Sequence, residues 1–153
     1  MWTEAICVLV IVAADQATKY AAATRLRANG PATLIPGVLG LRYSENTGAA
    51  FSSFSGATGL LTALTALLVA GLLVWLLTHR SAPRRVRVPL LMILAGGAGN
   101  LIDRVHYSYV IDFLEPLFVR FAIFNLADVL ITVGAALLAI TVLFYGGTRD
   151  GAK

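Results

Sequence analysis

Gly96-Gly97-Ala98-Gly99-Asn100-Leu101-Ile102-Asp103-Arg104 closes an apolar run and ends in a carboxylate beside a guanidinium. At helical spacing Gly96, Gly99, Asn100 and Asp103 fall on one face, because positions three and four apart are neighbours on a helix. Small residues let a second helix approach closely, and the buried amide and carboxylate must then be satisfied by whatever approaches. The plain reading is a helix-packing face that ends at a membrane surface. Whether it is more depends on where the other polar residues fall.

The surrounding composition fixes the class. The 153-residue chain is 58% apolar and only 13% charged, with a mean hydropathy of +0.81. A soluble domain carries roughly 25% charged residues, so a membrane protein is expected. One domain, 1–153, is the natural count at this length. Four apolar runs long enough to span, 5–23, 58–78, 87–103 and 121–145, predict an all-α bundle of four transmembrane helices. Between the first two, Gly30-Pro31, Pro36-Gly37 and Gly40 break helices, and Leu39-Gly40-Leu41-Arg42-Tyr43 reads as a short strand. The 104–120 segment reads as a loop, with Tyr107 and Tyr109 as interfacial aromatics. The tail, 146–153, reads as frayed.

Net charge is +4, with its basic density in Arg80, Arg84, Arg85 and Arg87 between the second and third runs. No soluble basic face exists for nucleic acid, so no nucleic-acid partner is expected. The single Cys7 excludes a disulfide framework and reads as a small buried side chain. Ile6 before Cys7, and a start without a basic segment, argue against a lipidated precursor.

Four spans must alternate in direction, and this sorts the polar residues. Asp15, Thr18 and Lys19 end the first span. Asn46 lies in the turn before the second, Asp103 ends the third, and Asn125 and Asp128 open the fourth, with Asp112 in the intervening loop. All of these fall on one side, and the arginine loop falls on the other. Arginine density places that loop in the cytoplasm, the polar side outside it, and both termini in the cytoplasm. Lys19 is expected either to snorkel to the interface or to pair with Asp15 at the i,i+4 spacing.

His79 and His106 lie on opposite sides, so no metal site is expected, and no cofactor either. No serine has a basic partner, and the Gly96 run lies inside a helix, not at a phosphate loop. What remains is a carboxylate pair drawn from Asp15, Asp103, Asp112 and Asp128. Two close carboxyls share one proton, so that one activates water while the other polarises a carbonyl. Spacing alone does not choose the two, though Arg104 beside Asp103 argues for a structural role there. A proton-coupled transporter would also place carboxylates in a membrane, but it predicts corresponding broken segments in two halves, and none are found. A purely structural subunit would explain the glycines but not the five polar motifs.

Five motifs in order resemble the lipoprotein signal peptidases (signal peptidase II), the bacterial membrane aspartic peptidases. They are Asp15-Gln16-Ala17-Thr18-Lys19, Asn46-Thr47-Gly48-Ala49-Ala50-Phe51, the Gly96 to Arg104 stretch, Val110-Ile111-Asp112-Phe113 and Phe124-Asn125-Leu126-Ala127-Asp128. The resemblance implies that Asp112 and Asp128 are the catalytic pair. It implies that Asp15, Lys19, Asn46, Gly48, Asn100, Asp103, Arg104 and Asn125 line or brace the site. It implies a small extracytoplasmic β-structure over 33–55 and a mobile cover over 104–120. The implied substrates are diacylglyceryl-modified prolipoproteins, cut before the lipidated cysteine, in the bacterial inner membrane. Membrane lipids and cyclic peptide inhibitors of the globomycin type are the other implied partners.

Overall fold

The computed structural model describes residues 2–48 and 58–145. Ala49, Ala50 and Phe51 of the second motif, and the 146–153 tail, lie outside the described residues.

Helix α1 (Trp2–Ala21) continues through a widened π-helical turn (Ala22–Leu26) and a last turn (Arg27–Asn29). It therefore runs past the expected end at residue 23. Nothing in Thr24 to Asn29 forbids a helix; the stop comes at Gly30, which takes φ +81°, followed by Pro31. Strands β1 (Ala32–Ile35) and β2 (Leu39–Asn46) then form a hairpin, with Gly37 at φ +72° in its turn. Helix α2 (Thr58–Thr78) carries no charged residue. Helix α3 (Arg84–Tyr107) is followed by Ser108 in the left-handed region, its N–H donating to Arg104 O. Strand β3 (Val110–Pro116) pairs antiparallel with β2, giving the sheet order β1-β2-β3, and helix α4 (Leu126–Tyr145) follows.

Two sequence expectations change. Part of the 104–120 loop is a strand, buried from Val110 to Phe113 and registered with Ser44 opposite Asp112 and Asn46 opposite Val110. The fourth span starts as a helix only at Leu126. Residues 121–125 are not helical, and Phe124 bridges to Leu114 through two backbone bonds of 2.8 and 3.1 Å. The cause is a reciprocal cap. Asn125 Oδ1 accepts from Asp128 N–H at 2.9 Å, and Asp128 Oδ2 accepts from Asn125 N–H at 3.3 Å. An amide at the cap and a carboxylate three residues on is the capping-box arrangement.

Helix α3 is the hub. Of its most apolar window 56% is buried, against 6–17% in the other three helices, and α1, α2 and α4 all pack on it. Leu76, Leu90 and Leu94 form the buried cluster, with Trp75 and Leu138 against it. Small residues bring α4 close: a Cβ on Gly134 would lie 2.8 Å from Pro89 O. Pro89 has no N–H, so Arg85 O loses its helical donor. The Thr141 hydroxyl on α4 donates to that carbonyl at 3.0 Å instead. The remaining helix surfaces are apolar and outward-facing, including Leu9, Leu67, Val74 and Leu143. Cys7, expected as a buried side chain, belongs to this outer surface, because α1 turns that face away from α3. All four helices are long and apolar enough to cross a membrane, and the chain is a multi-pass membrane protein.

Candidate active site

The site is built where the ends of α1 and α3, the start of α4 and the sheet meet. Lys19 is its electrostatic centre. Its Nζ lies 2.9 Å from Asp15 Oδ2 and 2.9 Å from Asp103 Oδ2, and donates to Asn100 Oδ1 at 2.9 Å. All four side chains are buried, Lys19 to 1% exposure. Snorkelling is therefore excluded, and Asp103 is neutralised by Lys19, not by its neighbour Arg104. A buried charge is tolerable only when paired and hydrogen-bonded. Among the described residues no buried side-chain nitrogen or oxygen lacks a partner.

The two carboxylates held by Lys19 each also accept from backbone, Asp15 through its other oxygen and Asp103 through the same one. Asp15 Oδ1 accepts from Ala127 N–H at 3.0 Å, and Asp103 Oδ2 accepts from Ile111 N–H at 3.1 Å. Ala127 and Ile111 immediately precede Asp128 and Asp112. One cation thus fixes the backbone leading into both candidate catalytic residues. Gln16 joins the set without having been given a role from sequence. Its amide donates to Asp103 Oδ1 at 2.9 Å and to Gly99 O at 3.2 Å. Its only sequence signal is its place beside Asp15. Gly99 is required here, because a Cβ on it would overlap Asp15 Oδ2.

Asp112 and Asp128 are joined through amides. Asn125 Nδ2 donates to Asp112 Oδ1 at 2.7 Å and to Asn100 Oδ1 at 3.2 Å; Asn100 Nδ2 donates to Asp128 Oδ1 at 2.7 Å. Asn46 Nδ2 donates to Asp112 Oδ2 at 3.0 Å. Gly48 sits at the rim, its N–H donating to Asn46 Oδ1 and its carbonyl 3.4 Å from Arg104 Nη2. All ten residues singled out from the sequence therefore converge at one end of the bundle. Burial, then the neighbouring Asp128 carboxylate, push Asp112 up to about 7; the Asn46 and Asn125 amides and the Lys19 charge pull the other way. Among the described residues no three His, Cys, Asp or Glu side chains are placed to hold a metal ion.

A cavity of about 620 Å³ opens beside the pair, between α2, α3 and α4. Asn46, Asn100, Arg104 and Asp128 form its polar end, and residues such as Leu68 and Ile93 its apolar end. Asp128 is on the wall, whereas Asp112 stands back from it, held by Asn46 and Asn125. The arrangement offers two linked carboxyls, a guanidinium and an apolar channel for part of a ligand.

Residues 7–144 match the family described as Signal peptidase (SPase) II. The lipoprotein signal peptidase of Streptococcus pyogenes serotype M6 is 39% identical over 132 residues, 86% of this chain and 87% of that protein. That of Streptococcus thermophilus is 36% identical over 135 residues, 88% of each. Two solved structures of bacterial membrane enzymes superpose with TM-scores of 0.90 and 0.84 at 28% and 29% identity. The first covers 100% of this chain and 94% of its own, the second 95% of each. The four apolar helices, the three-stranded sheet and these matches agree: the chain belongs to the signal peptidase II family of lipoprotein signal peptidases.

Proposed function

We propose that this chain is an aspartic endopeptidase, a single domain over 1–153, that cuts diacylglyceryl-modified prolipoproteins before the lipidated cysteine. Asp112 and Asp128 form the catalytic pair. The observation that supports this most is that one amide, Asn125, bonds Asp112 through its nitrogen and caps the helix that carries Asp128 through its oxygen. The pair shares one proton. The ionised carboxyl takes a proton from water as it attacks the scissile carbonyl, while the protonated one donates to the carbonyl oxygen; as the tetrahedral intermediate collapses, the first passes its proton to the leaving nitrogen and the second takes one back from the gem-diol hydroxyl. Each Asp112 oxygen accepts one side-chain amide bond and keeps a lone pair for this chemistry.

The other residues hold the pair. Asn100 and Asn125 orient the carboxyls, Asp15, Lys19 and Asp103 fix the backbone before each, and Asn46, Gly48 and Arg104 shape the rim. The substrate enters sideways from the bilayer with its acyl chains in lipid, and cyclic peptides of the globomycin type compete for the same cavity. The site faces the extracytoplasmic side of the bacterial inner membrane, with both termini cytoplasmic; the arginines at the far end of α3 support this orientation. Part of the 104–120 segment covers the site, and because Asp112 is carried on a strand, the pair is assembled before any closure.

The test is cleavage of a diacylglyceryl-modified prolipoprotein by the purified protein. Asp112→Asn and Asp128→Asn should each lower kcat by at least about 10³-fold while substrate still binds and the thermal transition is kept. Normal cutting by Asp112→Asn would overturn the pair, and an inactive parent would overturn the peptidase reading.

A further inference from the structure

The wall of the cavity holds two hydroxyls that the catalytic pair does not use. Threonines in helices ordinarily donate to a carbonyl of the preceding turn. Thr18, Thr24, Thr62 and Thr78 all do so, at 2.7–2.9 Å. Thr65 on α2 and Thr132 on α4 also line the cavity, and among the described residues neither hydroxyl has a partner.

Their placement is matched. Both helices run from the catalytic end of the bundle toward the arginine end. Thr65 stands seven residues from the start of α2 and Thr132 six from the start of α4. At 1.5 Å per residue they lie roughly 10.5 and 9 Å from their helix starts, one on the α2 wall of the channel and one on the α4 wall. Thr132 is one turn beyond Asp128, on the same face of α4. The channel is otherwise largely apolar, with Leu61, Leu68 and Ile131 also lining it. A free hydroxyl in such surroundings calls for an acceptor on the ligand.

We propose that Thr65 and Thr132 are substrate-binding residues that donate hydrogen bonds to carbonyl oxygens of the lipidated substrate just below the scissile bond. This rests on the peptidase reading above. A signal peptide crosses the bilayer as a helix, and presenting one peptide bond to the aspartates unwinds its last turn. The carbonyls so released have no water to bond in the hydrocarbon layer and are expensive to leave bare. Two donors on the channel wall, one of them a turn beyond Asp128, meet that need. The ester carbonyls of the diacylglyceryl group present the same acceptor chemistry at the same depth.

The experiment compares Thr65→Val, Thr132→Val and the two Ser variants, with Thr62→Val as the control whose hydroxyl bonds its own helix. Substrates carry either a diester or a diether lipid. A neutral hydrogen bond is worth a factor of roughly 3–10. Each Val variant should therefore raise KM about 3–10-fold on the diester substrate with kcat within about twofold. Each Ser variant and Thr62→Val should stay within about twofold of the parent. If the penalty persists on the diether substrate the acceptors are peptide carbonyls, and if it vanishes they are the esters. Val variants indistinguishable from the parent, or Ser variants as impaired as Val, would overturn the proposal while leaving the peptidase reading intact. A parent that cuts neither substrate would overturn both.

Discussion

The bundle has a buried cation at each end, and the two are used differently. At the far end Arg87 donates from Nε and Nη2 to both oxygens of Glu4 at 2.8 Å, and from Nη1 to Leu76 O and His79 O at 3.1 and 2.9 Å. Those bonds tie three helix ends together and terminate on scaffold. At the catalytic end Lys19 also ties helix ends together, but its partners pass the constraint on: Asp15 to Ala127, Asp103 to Ile111, Asn100 to Asp128. A buried ion pair is weak evidence for net stability. What separates the two ends is the identity of the next bond along.

Removing each cation should split the comparison most widely. Lys19→Met leaves Asp15 and Asp103 buried without a countercharge, a loss of about 3–5 kcal/mol. Denaturation in detergent should register it together with loss of cleavage. In Arg87→Met the Glu4 left behind is 32% exposed and can hydrate; stability falls less, and kcat per folded molecule is unchanged. Loss of kcat in folded Arg87→Met would erase the distinction between the ends.

Glycine replacements probe the same contrast at smaller scale. In Gly99→Ala the new methyl displaces Asp15 from its bonds to Lys19 and Ala127, so cleavage should fall roughly tenfold or more. A Cβ on Gly71, by contrast, meets nothing within 4 Å. Gly71→Ala should keep activity and gain about 0.5–1 kcal/mol from helix propensity. Equal activity of the two variants would remove Asp15 as a positioning group.

The subtlest effect is in pH. With Asp112 raised to about 7 from an ordinary 3.8, the folded protein holds a proton that the unfolded chain has lost between those values. Its contribution to stability is therefore full below about pH 4 and is lost as pH rises through about 7. Cleavage should fall over the same upper limb as the shared proton leaves. Asn46→Leu removes an amide that favours the charged form, so its pH–rate limb should move to higher pH. A limb unmoved in Asn46→Leu would show that Asp112 does not govern it.

Much of this was legible in the chain because apolar length and polar position are one-dimensional signals. The four runs, the sorting of Asp15, Asp103 and Asp128 to one end, and the Gly96/Gly99 face all follow from spacing. Strand β3 was not, since Val110-Ile111-Asp112-Phe113 is buried on both faces and shows no alternation to separate it from a loop. The late start of α4 was readable in principle, as Asn125 and Asp128 stand at capping-box spacing, but the apolar run hid it. The pairing of Asp103 with Lys19 instead of Arg104, and that of Glu4 with Arg87, depend on how helices pack, and sequence neighbours carry no information about that.

The bond from Lys19 to Asn100 also gives the network a direction. An ammonium only donates, so Asn100 must turn its carbonyl to Lys19 and its NH₂ to Asp128. Asn125, facing that same carbonyl, must in turn present its NH₂, which is the group that also reaches Asp112. One charge thereby settles the orientation of two amides that would otherwise be free to flip. Every hydrogen in the chain points toward an aspartate or toward Asn100 Oδ1, so the two carboxyls meet a substrate as acceptors already polarised from behind. Asn100→Asp, nearly identical in shape, would keep the bond to Lys19 and reverse the message, placing a second acceptor where Asp128 is offered a donor.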